Sequence, residues 1–337
     1  MDITQKRKVG RTDVEVTTIS FGAAPIGNFL RPFTDADARA MVDQSWDLGV
    51  RYFDTAALYG HGLSEYRLGH ALRERDRDEY VLSTKVGRVL RPAPNSSFDS
   101  GLWVDVPPMA AKYRYTYDGV MRAFEDSLQR LMTDHVEIVL MHDVDRYTHG
   151  AAQPEMFATA VDDGFRALVE LRDQGVVKAI GFGVNEADVL AQAIRRTDSD
   201  AALLAGRYTL LEQQPLDDLL PLCQERGIGI ILGGVYNSGV LATGPRKGAK
   251  FNYGPAPAEI LELAGRLEEI CTQHDVPLPA AAIQFAAAHP AVASVCIGSR
   301  TQAQQADTAA FFGIDIPAEL WNDLREHGLI RNDAPTP

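Results

Sequence analysis

Val136-Glu137-Ile138-Val139-Leu140-Met141, the amphipathic run from Pro154 to Gln174 with its stop at Gly175, and Val177-Lys178-Ala179-Ile180-Gly181-Phe182 decide the fold of this chain. The two short apolar runs suit strands buried on both faces. The longer segment between them carries the 3.6-residue period of a helix with one apolar side. Strand, helix, strand in that order is a parallel pair joined by a crossover.

The same rhythm extends in both directions. It predicts strands at Thr18 to Gly22, Arg51 to Asp54, Tyr80 to Thr84, Val136 to Met141, Val177 to Phe182, Ala201 to Ala205, Ile228 to Leu232 and Val292 to Ile297. Helices fill the gaps, among them Thr34 to Leu48 with Thr34 as cap and Gly49 as stop, and Thr116 to Leu131. A hairpin is expected from Lys8 to Thr18, with extra helices at Pro279 to Ala288 and Pro317 to His327. Eight strands each followed by a helix predict an α/β fold, the closed (β/α)8 TIM barrel, with an N-terminal hairpin and extra helices near the C-terminus.

No linker divides the chain, so residues 1–330 are expected as one barrel domain and 331–337 as a loose tail. Gly22-Ala23-Ala24-Pro25-Ile26-Gly27 lacks the Gly-x-Gly-x-x-Gly spacing of a doubly wound dinucleotide fold, and Gly181-Phe182-Gly183 does not continue into it. Three long segments, Gly87 to Tyr115, Asp143 to Ala152 and Gly233 to Pro255, each follow a strand. In a barrel all three rise over the C-terminal mouth, where such folds carry out their chemistry.

The 337 residues are 45% hydrophobic, enough for a large core, and carry a formal charge of −13. That balance argues against nucleic acid or an anionic membrane as a partner, since both call for a basic face. Cys223, Cys271 and Cys296 are odd in number and widely spaced, fitting neither a disulfide framework nor a zinc site. The histidines show no metal-ligand spacing either, so no metal is expected. Met1 to Arg7 has no apolar leader character and no run approaches the ~20 apolar residues of a membrane span, so a cytoplasmic protein is expected.

Asp54, Tyr59, Lys85 and His142 fall at or just past strands two, three and four. Singly, they read as a turn carboxylate, a packing aromatic, a solvated strand end and a loop histidine. Jointly, they place a carboxylate, a phenol, an ammonium and an imidazole at one end of a barrel. A phenol with a pKa of about 10 is a weak acid or base at neutral pH. A neighbouring ammonium favours its ionised form, a carboxylate holds that ammonium charged, and an imidazole can orient a substrate oxygen.

The segments Phe53-Asp54-Thr55-Ala56-x-x-Tyr59-Gly60, Ser64-Glu65-x-x-Leu68-Gly69, Ser83-Thr84-Lys85, Leu140-Met141-His142-Asp143 and Gly175 to Gly181 resemble the aldo-keto reductase family, and the likeness runs almost the whole chain. It implies a (β/α)8 barrel, an NAD(P) cofactor, Tyr59 as proton donor or acceptor, and Asp54, Lys85 and His142 as the rest of a catalytic tetrad. By the same resemblance, Asn185 faces the nicotinamide carboxamide, though Val184 stands where many members have serine. Gly206-Arg207-Tyr208 falls where a glutamine is usual, and backbone around Ser238 and Gly239 cradles the pyrophosphate. Gly298, Ser299, Arg300 and Asp307 fall in the adenosine region. Gly298 and Gln304 occupy places where NADP-using relatives have basic residues, which leaves Arg300 to pair a 2′-phosphate. NAD is therefore expected, with NADP possible.

Phe21 to Asn28 and Gly233 to Gly244 resemble members that oxidise cyclic hemiacetals to lactones, acting on L-fucose and other D-threo-aldoses at C1 or on pyridoxal. A small-molecule substrate is expected, with Arg88, Trp103, Tyr113 and Tyr115 as its contacts; these aromatics equally suit packing of a loop on the barrel rim. Two alternatives stay open: a general NADPH-dependent aldehyde or ketone reductase, and a cofactor-binding regulatory subunit.

Overall fold

A parallel sheet escapes exposed edges only by closing on itself. The computed structural model describes residues 1–94 and 98–337. Its barrel is formed by β1 (Ile19–Gly22), β2 (Tyr52–Asp54), β3 (Val81–Val86), β4 (Ile138–His142), β5 (Ala179–Val184), β6 (Ala201–Ala205), β7 (Gly229–Gly233) and β8 (Val292–Ile297), arranged in sequence order. The last strand returns to the first, with Val295 paired to Ile19, Cys296 to Ser20 and Ile297 to Phe21.

Six of the eight strands differ by one or two residues from their expected limits, because the hydrogen-bond ladder, not apolarity, defines a strand. Val177 is buried, but the ladder of β5 begins at Ala179, which pairs with Ile138. Val86 pairs with Met141 and Lys85 with Leu140, so Lys85 lies inside β3 rather than beyond it. Thr34 caps its helix, accepting from the Asp37 amide, and Thr116 accepts from Gly119. The helix expected from Pro154 to Gln174 is interrupted by one wide turn, Ala160–Gly164. There a Cβ on Gly164 would lie 2.1 Å from the Tyr115 carbonyl oxygen.

Side chains along a strand alternate between barrel interior and helix layer. On β4, Ile138 and Leu140 join an inner cluster with Tyr52 of β2, whereas Val139 and Met141 pack outward with Phe53, Leu82 and Val86. The inner cluster is closed from below by the N-terminal hairpin, Lys6–Lys8 with Glu15–Thr17, through Val9, Val14 and Val16. Period two then carries Asp54, Lys85 and His142 to the inward face at the upper ends of their strands.

The three long segments are more ordered than loops. Arg88–Pro92 pairs antiparallel with Met109–Tyr113, and part of that segment, residues 95–97, lies outside the described residues. Arg146–His149 is a short helix, and Lys250–Phe251 pairs with Gly254–Pro255. The expected loose tail is docked instead: Arg325 donates to the carbonyl of Ala334 at 3.1 Å and to Thr336 Oγ1 at 2.9 Å, and Ala334 is buried. Among the described residues no helix is long and apolar enough to cross a membrane.

Candidate active site

Lys85 Nζ lies 2.7 Å from Asp54 Oδ2 and donates to the Thr55 carbonyl at 2.8 Å. The pair is sealed, with side-chain exposures of 1% and 3%. Ser83 Oγ donates to the other carboxylate oxygen at 2.7 Å. Since that hydroxyl has spent its proton, the Tyr52 hydroxyl 2.9 Å away donates to Ser83 in turn. Tyr52, Ser83, Asp54 and Lys85 thus form one directed chain of hydrogen bonds rising through the barrel.

Tyr59 comes from the loop after β2 and is held by its neighbours. Ser64 Oγ donates to the Ala23 carbonyl and meets Thr55 Oγ1, both within 2.9 Å. Gly60, at φ 63°, lies so close to Gly27 that a Cβ would meet the Gly27 carbonyl oxygen at 2.3 Å. Glu65 is buried and clamped by Thr84 Oγ1 and Arg130 Nε, both at 2.6 Å, which ties the following helix to β3. So fixed, the Tyr59 ring has the Lys85 ammonium 4.7 Å from its centroid and the His142 ring edge-on at 5.9 Å.

Burial works against the Lys85 charge, yet Asp54 and Tyr59 outweigh it and hold the ammonium above its ordinary range. The expectation for Tyr59 is corrected. Burial raises the phenol well above its usual value, and the pull of Lys85 does not reverse this, in part because Asp54 opposes it. A lysine whose charge is already matched by a carboxylate 2.7 Å away has little field left for a third group. His142 is driven well below its ordinary range by burial, then by Arg88 and Lys85, so its imidazole is neutral.

Tyr59, Lys85 and His142 form the floor of a cavity of about 600 Å³. Its walls include residues from all three segments after the strands, as the barrel predicted: Arg88, Trp103 and Tyr113, then Asp143 and Tyr147, then Tyr253. Trp103 stacks on Tyr59 at 5.5 Å, and Phe29 packs on Trp103 at 5.0 Å and edge-on to Tyr253 at 5.5 Å. Arg88 is buried, paired to Asp143 at 2.8 Å and stacked on Tyr113 at 4.7 Å. Its Nη1 has no hydrogen-bond partner among the described residues, a cost of about 1–3 kcal/mol for a buried donor.

The sequence profile of the aldo/keto reductase family matches residues 18–328. The chain belongs to the aldo/keto reductase family. It is 44% identical to a pyridoxal 4-dehydrogenase from Microbacterium luteolum, covering 97% of this chain and 98% of that protein. It is 40% identical to a D-threo-aldose 1-dehydrogenase from a Pseudomonas species, covering 96% of each. Among solved structures, the holo form of an aldo-keto reductase from Bacillus halodurans superposes with a TM-score of 0.75 at 25% identity, over 96% of both chains. An oxidoreductase of this family uses a nicotinamide cofactor.

Several side chains of this aldo/keto reductase fit such a group. Asn185 lines the cavity, and its Nδ2 is committed to Asp143 and Asp145 at 3.1 Å each, which leaves Oδ1 as an acceptor for a carboxamide. Gly239, at φ 107°, has nothing within 4 Å of where a Cβ would be, an open approach to backbone. Its own amide, however, donates to the Tyr236 carbonyl at 2.9 Å, and Ser238 Oγ accepts from the Tyr253 amide at 3.0 Å. Arg207, where a glutamine is usual, donates to the Asn185 carbonyl and to Asn252, linking two rim segments.

Other expected contacts separate. Tyr115 does not reach the cavity: it is buried beneath it, with its hydroxyl against the His142 and Asp143 carbonyls and His149, because the turn at Gly87 leaves no space between the chain and its ring. Ser299 is buried beside Ile19 and Gln305, whereas Gly298, Arg300 and Asp307 are exposed. Arg31 was not singled out from the sequence. It donates to the Arg300 carbonyl, and burial, with a smaller contribution from the Arg31 charge, lowers the Arg300 pKa. Phe29, Asp143 and Tyr253 were missed as well; only Asp143, adjoining His142, gave a local signal.

Proposed function

We propose that this chain is an NAD(P)-dependent dehydrogenase that oxidises a cyclic hemiacetal, an aldose at C1 or a pyridoxal-like compound, to its lactone. The observation that carries the reading is the sealed Lys85–Asp54 pair under Tyr59, with neutral His142 opposite, at the floor of an aromatic-walled cavity. Likeness over nearly the full chain to a pyridoxal 4-dehydrogenase and a D-threo-aldose 1-dehydrogenase supports the substrate class.

Tyr59, once it has released its own proton to solvent at the cavity mouth, accepts as phenolate the hydroxyl proton of the hemiacetal while His142 holds the same oxygen by a hydrogen bond. Lys85 stays charged and steadies the phenolate that Tyr59 passes through. A nicotinamide bound beside Asn185 would supply the hydride acceptor for the substrate carbon. The aromatic walls stack on the substrate ring and exclude water. Proton and hydride together leave a lactone carbonyl. In reverse, a phenol above its usual range is protonated at neutral pH and so carries the proton that a reduction needs, and that observation favours the second reading, a general NADPH-dependent carbonyl reductase.

Arg31 beside Arg300 offers two guanidinium groups to a 2′-phosphate, while Gly298 and Gln304 lack the further basic residues of NADP users. Steady-state turnover of L-fucose, D-arabinose, L-galactose and pyridoxal with NAD and with NADP tests the proposal. Oxidation of at least one is expected. Reduction of simple aldehydes with no hemiacetal oxidised supports the reductase; nucleotide binding without turnover of any compound supports the regulatory reading.

A further inference from the structure

Asp143 adopts a left-handed backbone conformation, φ 51°, directly after His142. Its Oδ2 lies 3.4 Å from His142 Nε2 and 2.8 Å from Arg88 Nη2, and its Oδ1 accepts from Asn185 Nδ2 at 3.1 Å. Both members of the Arg88–Asp143 pair line the cavity, with side-chain exposures of 5% and 15%. None of the hydrogen bonds that build the Tyr52–Ser83–Asp54–Lys85 chain passes through them. A buried ion pair adds little stability over apolar residues of the same volume. Arg88 and Asp143 therefore call for a role in what the cavity holds.

Oxygens on neighbouring carbons stand about one hydrogen-bond length apart, close to the separation of the His142 nitrogen from the Asp143 oxygen. A substrate whose reacting oxygen sits on His142 thus brings its next oxygen to Asp143. A hydroxyl both donates and accepts. A carboxylate beside a guanidinium with an unmet N–H answers both needs, whereas either charge alone answers one.

We propose that Arg88 and Asp143 form a second substrate anchor, a clamp for the hydroxyl nearest the reacting carbon. In a cyclic aldose that is the C2 hydroxyl, on the neighbouring carbon; in a pyridoxal-like compound it is the ring hydroxyl, whose carbon is two bonds from the reacting carbon but whose oxygen projects beside the hemiacetal oxygen. Asp143 accepts a hydrogen bond from it and Arg88 turns Nη1 to donate to its oxygen. The clamp rests on the hemiacetal reading of the same cavity and adds which substrates that cavity selects.

The test compares kcat/KM for L-fucose and 2-deoxy-L-fucose, and for pyridoxal and its 3-deoxy analogue, in the wild-type enzyme, Asp143→Ala and Arg88→Met. A site built around a hydroxyl rejects the analogue lacking it, here by on the order of a hundredfold or more. Both variants are expected to lose most of that preference, chiefly by losing the hydroxylated substrate, while nucleotide affinity read by fluorescence quenching changes little for Arg88→Met; Asp143→Ala also takes one acceptor from Asn185 Nδ2, so the affinity control is read on Arg88→Met. Equal wild-type rates for the two members of each pair overturn the clamp, whether or not the variants fold. So does a variant that loses both members alike. If no hemiacetal is oxidised, the proposed function fails, and the clamp is judged by reduction of glycolaldehyde against acetaldehyde: preference for the former sustains it and equal rates overturn it.

Discussion

Replacing Lys85 by Met removes the cation from a carboxylate that has almost no access to water. The Lys85–Asp54 contact is 2.7 Å long, with side-chain exposures of 1% and 3%, and among the described residues only the Ser83 side chain remains to donate to the Asp54 carboxylate afterwards. Stranding one member of a buried pair costs about 3–5 kcal/mol. Unfolding entropy near 2.1 cal/mol/K per residue gives about 0.7 kcal/mol/K for this chain, so the loss corresponds to roughly 4–7 °C in Tm. Adding Asp54→Asn removes the stranded charge and leaves one unmet amide donor, a smaller cost of about 1–3 kcal/mol. The double variant is therefore expected to melt above Lys85→Met alone, although both lack turnover. The pH dependence has a definite sign. A carboxyl that resists ionisation in the fold is destabilising above its unfolded pKa and less so as pH falls and it takes up a proton, so the Lys85→Met deficit shrinks from pH 8 toward pH 5. Calorimetric melting of the wild type and both variants supplies the numbers. A single variant that melts within 1 °C of wild type, or a double variant that melts lower still, would refute the account of the pair.

Tyr59→Phe is expected to lower turnover by ~10²–10⁴-fold with nucleotide affinity retained, read by stopped-assay rates and fluorescence titration; near-normal turnover removes Tyr59 from its role. Without nucleotide the phenol is held above its ordinary range, so it stays protonated where free tyrosine ionises. The difference in tyrosinate absorbance between wild type and Tyr59→Phe should thus stay flat from pH 7 to about 10, and a step in that interval contradicts the raised value. Arg31→Ala and Arg300→Ala should each weaken NADP by about tenfold or more while sparing NAD, the scale of a hydrogen bond to a charged group; equal losses for both nucleotides would place these guanidiniums elsewhere.

The barrel was legible because apolar runs and amphipathic segments alternate eight times, a pattern local enough to survive without contacts. Asp54, Lys85 and His142 were legible for a related reason: strand period two places them on the inward face together with Tyr52, Ser83 and Leu140, and each sits at its strand's upper end. What the sequence could not supply was how charges share one another. The Tyr59 phenol is raised by its burial, and Lys85 does not reverse this, in part because Asp54 opposes it, a balance set by packing and distances across separate strands. Tyr115 reads like Tyr113 in a list of aromatics, yet the Gly87 turn buries one ring and leaves the other at the cavity. Phe29, Arg31 and Tyr253 lie in rim segments without periodicity, and only closure of the barrel brings Tyr253 against Phe29 or Arg31 beside Arg300. The chain alone determined the barrel and which titratable side chains gather at the inward upper end of its strands, because burial patterns and strand alternation are properties of neighbours in sequence. The tertiary structure decided the electrostatics and the cavity wall, because both depend on groups that meet only when strands far apart in sequence close into a ring.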